Sequence, residues 1–227
     1  MPNNSTRVPM RNMFVAAAIA ACALSASAGV VVTQNRAAFE AGLTNGFTVE
    51  NFTSTAHFPI SSGVLNSSTT EAGLVADQIK AGVTYSTTIG TGNFFNIDAG
   101  GGFDGGFLDS VTGTHLLTVT FDNAVTGFGF DTNALARNVD LTIFFDDNTS
   151  LFLHNVADQM EFFGFTADGA AKIKSAVIGS AQNGTFTFAL DNFTFGNGAG
   201  GNKVPEPGSL LLAAAALGAA LRFRRKV

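Results

Sequence analysis

The chain has 227 residues, 46% of them hydrophobic, which is enough for one domain with a substantial apolar core. Its formal net charge is -5, but residues 29–203 carry 16 of the 17 acidic residues and only 6 of the 12 basic ones. Because an acidic domain repels phosphate backbones, the composition argues against nucleic-acid binding. The single cysteine, Cys22, lies in an N-terminal apolar stretch, so the rest of the chain has no thiol for a disulfide or a metal cluster.

The N-terminus has the three parts of a secretory signal peptide. A basic start precedes an apolar run over residues 13–24, and small residues follow that run. Ala26 and Ala28 have the A-x-A spacing that signal peptidase requires, because its two pockets accept only short side chains. The pattern predicts export through the Sec translocon and cleavage after Ala28. An alternative is a lipobox that ends at Cys22, in which this cysteine would carry a lipid anchor.

After the predicted cleavage site, the pattern is strand-like apart from one short helix. Residues 35–43 place Ala38, Phe39 and Leu43 on one helical face, and Gly42 is a suitable C-terminal stop, so we predict a helix there. No later stretch keeps a helical period long enough to cover a sheet. Short period-two segments recur about every 8 to 12 residues between Gly, Asn and Asp. This spacing predicts an all-β fold, an antiparallel jelly-roll-like β-sandwich.

Two segments show the strand pattern most clearly. Residues 139–156 predict a hairpin whose turn is Asp146-Asp147-Asn148. Residues 116–131 predict two strands that meet near Asp122-Asn123. Both segments alternate apolar and polar residues, as half-buried strands do.

The last predicted strand marks the end of the folded domain. It continues to Phe195 and passes Asp191-Asn192 through a bulge, because apolar residues resume on the same face beyond that pair. We therefore place the sandwich domain at residues 29–195. A flexible Gly-rich linker is predicted for residues 196–203.

Candidate catalytic groups are few. His57, His115 and His154 lie in separate segments and have no metal-binding spacing. The chain also lacks a nucleophile motif, so we expect no catalytic site and no enzyme activity. Residues 98–109 are rich in Gly and Asp, and we interpret them as a surface loop, because they lack the lysine and the following helix of a phosphate loop.

Two sets of carboxylates are candidates for binding calcium, which takes hard oxygen ligands. Asp98, Asp104 and Asp109 lie among glycines, but their spacing matches neither an EF-hand nor a repeated calcium-binding array. Glu50 and Asp191 lie near the first and last strands of the predicted sandwich. The last strand resembles the closing strand of carbohydrate-binding jelly rolls, and that resemblance implies a structural calcium here. The alternative for Asp191 is a cap on the bulge through its own backbone. No other cofactor is predicted.

The last 24 residues have three parts in a fixed order: a proline-bracketed acid, an apolar run over residues 210–221, and a basic end. As a helix, residues 207–223, which carry no charge before Arg222, would extend about 25 Å, slightly less than the hydrocarbon core of roughly 30 Å, so we predict a transmembrane helix. The basic end would stay on the cytoplasmic side. The sorting-motif residues are Val204, Pro205, Glu206 and Pro207, and the membrane-stop residues are Arg222, Arg224, Arg225 and Lys226.

This tail resembles the PEP-CTERM sorting signal of exopolysaccharide-producing Gram-negative bacteria. In that family a membrane-embedded cysteine protease, exosortase, recognises the motif and cuts nearby. The resemblance implies an exosortase-type protease as partner, transient anchoring in the inner membrane, and a final location at the cell surface or outside the cell. Segments of the domain, including RAAFEAGL and LDNFTFG, resemble other members in the same order. Because the globular parts of that family vary, this likeness bears on the fold more than on an activity.

Together these observations favour a non-enzymatic, exported cell-surface or extracellular-matrix protein associated with exopolysaccharide or biofilm. An alternative is a carbohydrate-binding module with a calcium-supported sandwich. Sugar sites usually stack their rings on Trp or Tyr, and the chain has no Trp and only Tyr85, although exposed Phe would serve. A glycan-degrading enzyme is a further alternative, and it would need two carboxylates about 5 to 9 Å apart across a sheet.

Overall fold

The structure is a computed structural model. It describes residues 29–53, 55–87, 95–99, 106–110, 116–132, 140–154, 161–179 and 189–198. Within these residues no helix has both the length and the apolar character needed to cross a membrane. The predicted signal peptide, with Ala26 and Ala28, and the predicted transmembrane helix of the tail lie outside them.

The described residues form fourteen β-strands, one α-helix and a short 3-10 turn at Glu71–Gly73. The helix, α1, is Arg36–Gly42. The strands are β1 Gly29–Thr33, β2 Phe47–Glu50, β3 His57–Ile60, β4 Val64–Leu65, β5 Val83–Thr87, β6 Phe95–Ala99, β7 Gly106–Ser110, β8 Leu117–Val125, β9 Gly127–Thr132, β10 Leu141–Phe145, β11 Ser150–Leu153, β12 Glu161–Asp168, β13 Ile173–Ile178 and β14 Ala189–Gly196.

The strands form two antiparallel sheets. The first sheet has the order β1-β12-β9-β14-β7-β6-β3, and β2 also pairs with β14. The second sheet has the order β11-β10-β13-β8-β5-β4. Buried residues alternate along the strands of the second sheet, so only one of its faces is buried. The predicted all-β, antiparallel class is confirmed.

A phenylalanine-rich core joins the two sheets. Phe193 on β14 contacts the ring of Phe130 in its own sheet and the rings of Tyr85 and Phe121 in the opposite sheet. These residues belong to one cluster of buried side chains that draws on both sheets. Each large ring removes roughly 150–250 Å² from water. The surplus of Phe is therefore used mainly to hold the sandwich together.

The predicted helix forms and packs on the outer face of the first sheet. The side chain of Asn35 caps it by accepting a hydrogen bond from the backbone N–H of Ala38. Phe39 and Leu43 are buried and pack with Phe162 of β12. Ala38 is exposed, so its expected place on the buried face is wrong. Two buried residues four apart are enough to seat so short a helix.

The hairpin prediction is confirmed, but the strand break within residues 116–131 lies elsewhere. Strands β10 and β11 pair as expected across the turn at Asp146-Asp147-Asn148. In contrast, Asp122 and Asn123 are exposed residues inside β8, which continues to Val125. The chain then passes from the second sheet to the first at Thr126, so β8 and β9 do not form a hairpin. The polar pair lies where a long strand extends into solvent.

The segment interpreted as a surface loop contains two paired strands. Strands β6 and β7 are antiparallel, with Ile97 opposite Leu108 and both side chains buried. Asp98 and Asp109 therefore belong to strands, and Asp104 lies outside the described residues. Each strand has one buried apolar residue, and the many Gly and Asp residues around it obscure the strand pattern in the sequence. The interpretation of this whole segment as a loop was wrong.

Candidate functional site

The predicted residues Glu50 and Asp191 lie close to each other in the fold, because β2 pairs with β14. Glu50 is opposite Phe193, two residues after Asp191. Residues Asp191 to Thr194 form the predicted bulge, and Asn192 adopts a left-handed backbone conformation there, which Asn tolerates. The described structure thus brings together the two carboxylates that the sequence singled out.

Glu50 is a buried carboxylate held by backbone donors. Its Oε1 accepts a hydrogen bond from the Phe52 N–H at 2.7 Å, and its Oε2 accepts one from the Lys80 N–H at 2.6 Å. Burial raises the pKa of Glu50, and the two backbone donors and the Lys80 charge partly offset this effect. Glu50 therefore ties the residues that follow β2 to the segment before β5.

Asp191 belongs to a polar cluster on the outer face of the first sheet, which we call the Arg36 cluster. Its members are Arg36, Glu40, Asp131, Asp191, Asn192 and Thr194. Asp191 is only 2% exposed, and its Oδ1 accepts a hydrogen bond from the backbone N–H of Asn192 at 2.6 Å. Burial raises the pKa of Asp191 to about 6, with a smaller contribution from the charge of Asp131. The expected alternative, a cap on the bulge, describes this hydrogen bond.

Arg36 links α1 to strands β9 and β14. It pairs with Asp131 on β9 at 2.8 Å and with Glu40 at 3.2 Å, and its guanidinium lies 4.3 Å from the centre of the Phe162 ring. It also donates to the hydroxyl oxygen of Thr194 at 3.0 Å. The amide of Asn192 donates to Asp131 as well, so protein groups occupy the oxygens of this carboxylate.

The predicted calcium site stays a prediction. A calcium ion takes six to eight oxygen ligands, whereas both oxygens of Glu50 and both oxygens of Asp191 accept N–H donors. A bound ion would have to share these oxygens with the N–H donors. Among the described residues, no group of three or more His, Cys, Asp or Glu side chains is placed to hold a metal ion.

The histidines have separate structural roles. His57 is buried, with its Nδ1 2.9 Å from the carbonyl oxygen of Ala72. His154 is mostly exposed and lies 2.7 Å from Asp140. His115 lies outside the described residues. His57 lies on β3 of the first sheet, and His154 directly follows β11 of the second sheet. The two described histidines are therefore in separate parts of the fold, as their sequence positions indicated.

The outer face of the second sheet is an additional candidate site that sequence reasoning missed. Side chains alternate between the two faces of each strand, and eleven side chains on five strands and the short β4 point away from the core. We call this surface the hydroxyl face. Its residues are Val64, Thr84, Ser86, Thr118, Thr120, Thr142, Phe144, Ser150, Phe152, Ser175 and Val177.

The strand register arranges all eleven side chains in two rows across the sheet. One row is Phe152, Thr142, Val177, Thr118, Ser86 and Val64, and the other is Ser150, Phe144, Ser175, Thr120 and Thr84. None of the eleven is ionisable. Charged groups flank the rows along the strand direction. Asp122 on β8 and Lys174 on β13 are exposed beside the second row, and His154 pairs with Asp140 beside the first.

The hydroxyl face exposes both hydrogen-bonding and apolar groups. Within the described part of the chain, its seven hydroxyl side chains make no hydrogen bonds to other protein groups. Phe152 is 60% exposed and Phe144 is 39% exposed. Tyr85, the one tyrosine of the sequence, is fully buried, and its hydroxyl has no hydrogen-bond partner among the described residues. Burial and the nearby Glu50 charge raise its pKa. Only Phe is therefore available on this face to stack on a ligand.

Residues 203–226 match the family described as the PEP-CTERM protein-sorting motif. The chain carries a PEP-CTERM sorting motif. The match includes Val204, Pro205, Glu206 and Pro207 and extends to the basic end, so the resemblance of the tail is confirmed. A PEP-CTERM motif implies export, transit to the cell surface while anchored in a membrane, and processing by exosortase, a membrane protease.

Comparison of the domain with solved structures finds only distant similarity. One match is a variant of a family 29 carbohydrate-binding module, at 12% identity over 67% of this chain and 94% of that chain, with a TM-score of 0.37. Another is the family 11 carbohydrate-binding module of the cellulosomal cellulase Lic26A-Cel5E of Clostridium thermocellum, at 14% identity over 52% of this chain and 84% of that chain, with a TM-score of 0.27. TM-scores this low carry no argument about function. No curated protein matches the chain.

Proposed function

We propose that this is a non-enzymatic, exported cell-surface or extracellular-matrix protein that associates with exopolysaccharide. The observation that carries the proposal is the PEP-CTERM motif at residues 203–226. A signal peptide ending at Ala28 would start export through the Sec translocon and be removed by signal peptidase. An exosortase-type protease would then process the other end of the chain.

The chemistry of the tail fits such processing. Pro205 and Pro207 cannot continue a helix, so they keep Glu206 in an extended segment, which is the form that a protease active site binds. The predicted transmembrane helix over residues 207–223 and the basic residues at its end would hold this segment at the outer side of the inner membrane. The protein would thus be anchored transiently and released or transferred after cleavage.

The folded domain, in this proposal, is a jelly-roll-like sandwich that contacts secreted polysaccharide. The hydroxyl face supports this role because it offers hydroxyl groups and apolar side chains without charge. A defined carbohydrate-binding module is the second candidate, and the exposed rings of Phe144 and Phe152 favour it. No catalytic step is part of either candidate.

Intact-mass analysis of the protein recovered from its native envelope and medium tests the proposal. We expect a chain that begins at Gly29 and ends near Pro207. The double variant Pro205→Ala with Glu206→Ala should accumulate with its tail attached, whereas Asn202→Ala, just before the matched residues, should be processed normally. An uncut C-terminus in the wild-type protein from the inner membrane would instead indicate a permanent anchor and contradict the proposal.

A further inference from the structure

We infer that the hydroxyl face is the binding surface for a neutral polysaccharide, whose chain lies across the strands of the second sheet. This inference rests on the proposed function, because it names the surface and the ligand class for the association with exopolysaccharide. It follows from the absence of charged side chains in the rows, from the two exposed phenylalanines and from the length of the rows.

The absence of charge on the face points to a neutral ligand. Between residues 29 and 203 the chain has 16 acidic residues, and none of them occupies a position in the two rows, although Asp122, the next outward residue of β8 after Thr120, lies directly beside the second row. An anionic polymer would gain nothing from such a surface and would be repelled by the acidic domain around it. An uncharged polymer with many hydroxyl groups matches the seven Ser and Thr side chains, which can both donate and accept hydrogen bonds.

Two aromatic rings lie together at one end of the face. Phe152 is opposite Thr142 and Phe144 is opposite Ser150, so the two phenylalanines are diagonal neighbours on β10 and β11. Exposed large apolar groups at the edge of a sheet promote aggregation unless a partner or a ligand covers them. A sugar ring has an apolar C–H face that such a ring can cover. We assign Phe144 and Phe152 as the apolar contacts of the ligand.

The rows define an elongated ligand. Strands are spaced about 4.8 Å apart, so a row across six strands extends roughly 24 Å. Each row contains both hydroxyl and apolar side chains at that spacing. One row runs from Phe152 to Val64. A linear polymer can contact several positions of a row at once, whereas a single sugar would contact only one or two.

Binding by the full chain in detergent solution tests this inference. The probes are cellulose and xylan as neutral polysaccharides, alginate as an anionic one, and the polysaccharide that the native host secretes. We expect the wild-type chain to bind at least one neutral probe about equally at low salt and at 1 M NaCl. The double variant Phe144→Ala with Phe152→Ala should bind at least tenfold more weakly, and Thr142→Glu, which puts a charge in the middle of a row, should also weaken binding.

Phe47→Ala is the matched control, because Phe47 is 44% exposed but lies on β2 of the other sheet. It should bind like the wild type, and circular dichroism should show that all variants are folded. Unchanged binding by the double variant would overturn the inference while leaving the proposed function intact. Binding to alginate alone, or loss of binding in salt, would overturn the neutral ligand. No binding to any probe would contradict both the inference and the proposed function. A dimer that only the double variant loses would identify the face as a contact between two copies.

Discussion

At the scale of single residues, Asp191 makes the stability of the domain depend on pH. Its carboxyl is buried in the bulge of β14, near Asp131 and Glu50, and among the described residues Arg36 offers a compensating charge. The pKa of about 6 is above the ordinary value of 3.8. The charged form is therefore disfavoured in the folded state, so folding is favoured most while Asp191 is protonated.

The raised pKa predicts that the free energy of unfolding falls as the pH rises from about 4 to about 7. The contribution of Asp191 is fully present below its unfolded pKa and is lost as the pH passes its folded pKa. Asp191→Asn should remove this loss. Its amide oxygen can still accept the backbone N–H of Asn192, and the Asn192 side-chain amide, which loses its 3.2 Å acceptor on Asp191, keeps its shorter hydrogen bond to Asp131. At pH 7 it should raise the free energy of unfolding by on the order of 2 kcal/mol, measured by chemical denaturation across this pH range.

Asp147→Asn is the contrasting control. Hydrogen bonds from Thr149 lower the pKa of Asp147, so any effect of this residue is lost as the pH falls rather than as it rises. If Asp191→Asn destabilised the domain at pH 7 or kept the wild-type pH dependence, a charged Asp191 would be stabilising the bulge. The account of the Arg36 cluster would then be wrong.

The sequence identifies some residues of this cluster and not others. Asp191 could be found because its cap on the bulge involves the next residue along the chain. Arg36 could not, because its partners Asp131 and Thr194 are far away in sequence and meet it only after the helix packs on the sheet. The hydroxyl face was missed for a related reason. Its Thr and Ser residues are scattered over five strands, and only the register brings them into rows.

At the scale of elements, α1 depends on glycines in the sheet beneath it. A Cβ atom built on Gly164 would lie 2.7 Å from the ring of Phe39 and 2.9 Å from the ring of Phe162. The missing side chain therefore leaves the space in which Phe39 packs. Gly129 has the same role beside Phe162, where a built Cβ would lie 2.7 Å from the ring.

Gly164→Ala should lower the free energy of unfolding by about 1–3 kcal/mol, because the new methyl group overlaps the Phe39 ring. Gly42→Ala is the matched control, since a Cβ there has no atom within 4 Å, and a helical alanine is favoured over glycine. Chemical denaturation gives the stabilities, and hydrogen exchange of the α1 amides reports whether the helix detaches. Equal stability of the two variants would contradict this description of the packing.

Local signals explain which elements the sequence could predict. The α1 helix and the Asp146-Asp147-Asn148 turn each depend on a few adjacent residues, and both predictions are confirmed. The break at Thr126 depends on which sheet each strand joins. The neighbouring residues do not indicate which sheet a strand joins, so the polar pair at Asp122-Asn123 was mistaken for a turn.

At the scale of the whole molecule, the sorting tail and the folded domain have separate tasks. The tail directs the protein to the surface through the PEP-CTERM motif at residues 203–226. The domain is held together by its Phe core and, in the proposed function, would contact polysaccharide at the surface. Strand β14 continues to Gly196, and Asn197 is hydrogen-bonded to the turn before β2, so the domain includes the first residues of the predicted linker. The sequence of the tail was sufficient to identify its motif, because such a signal is read as a linear segment.

A chain that ends at Lys203 gives the most direct test of this account. It should be expressed in the native host beside the full chain, and both should be located by cell fractionation and measured by intact mass. We predict that the shortened chain begins at Gly29 but fails to reach the surface location of the full chain, because exosortase has no motif to recognise. Arrival of the shortened chain at the same surface location would contradict the central claim that the tail directs sorting.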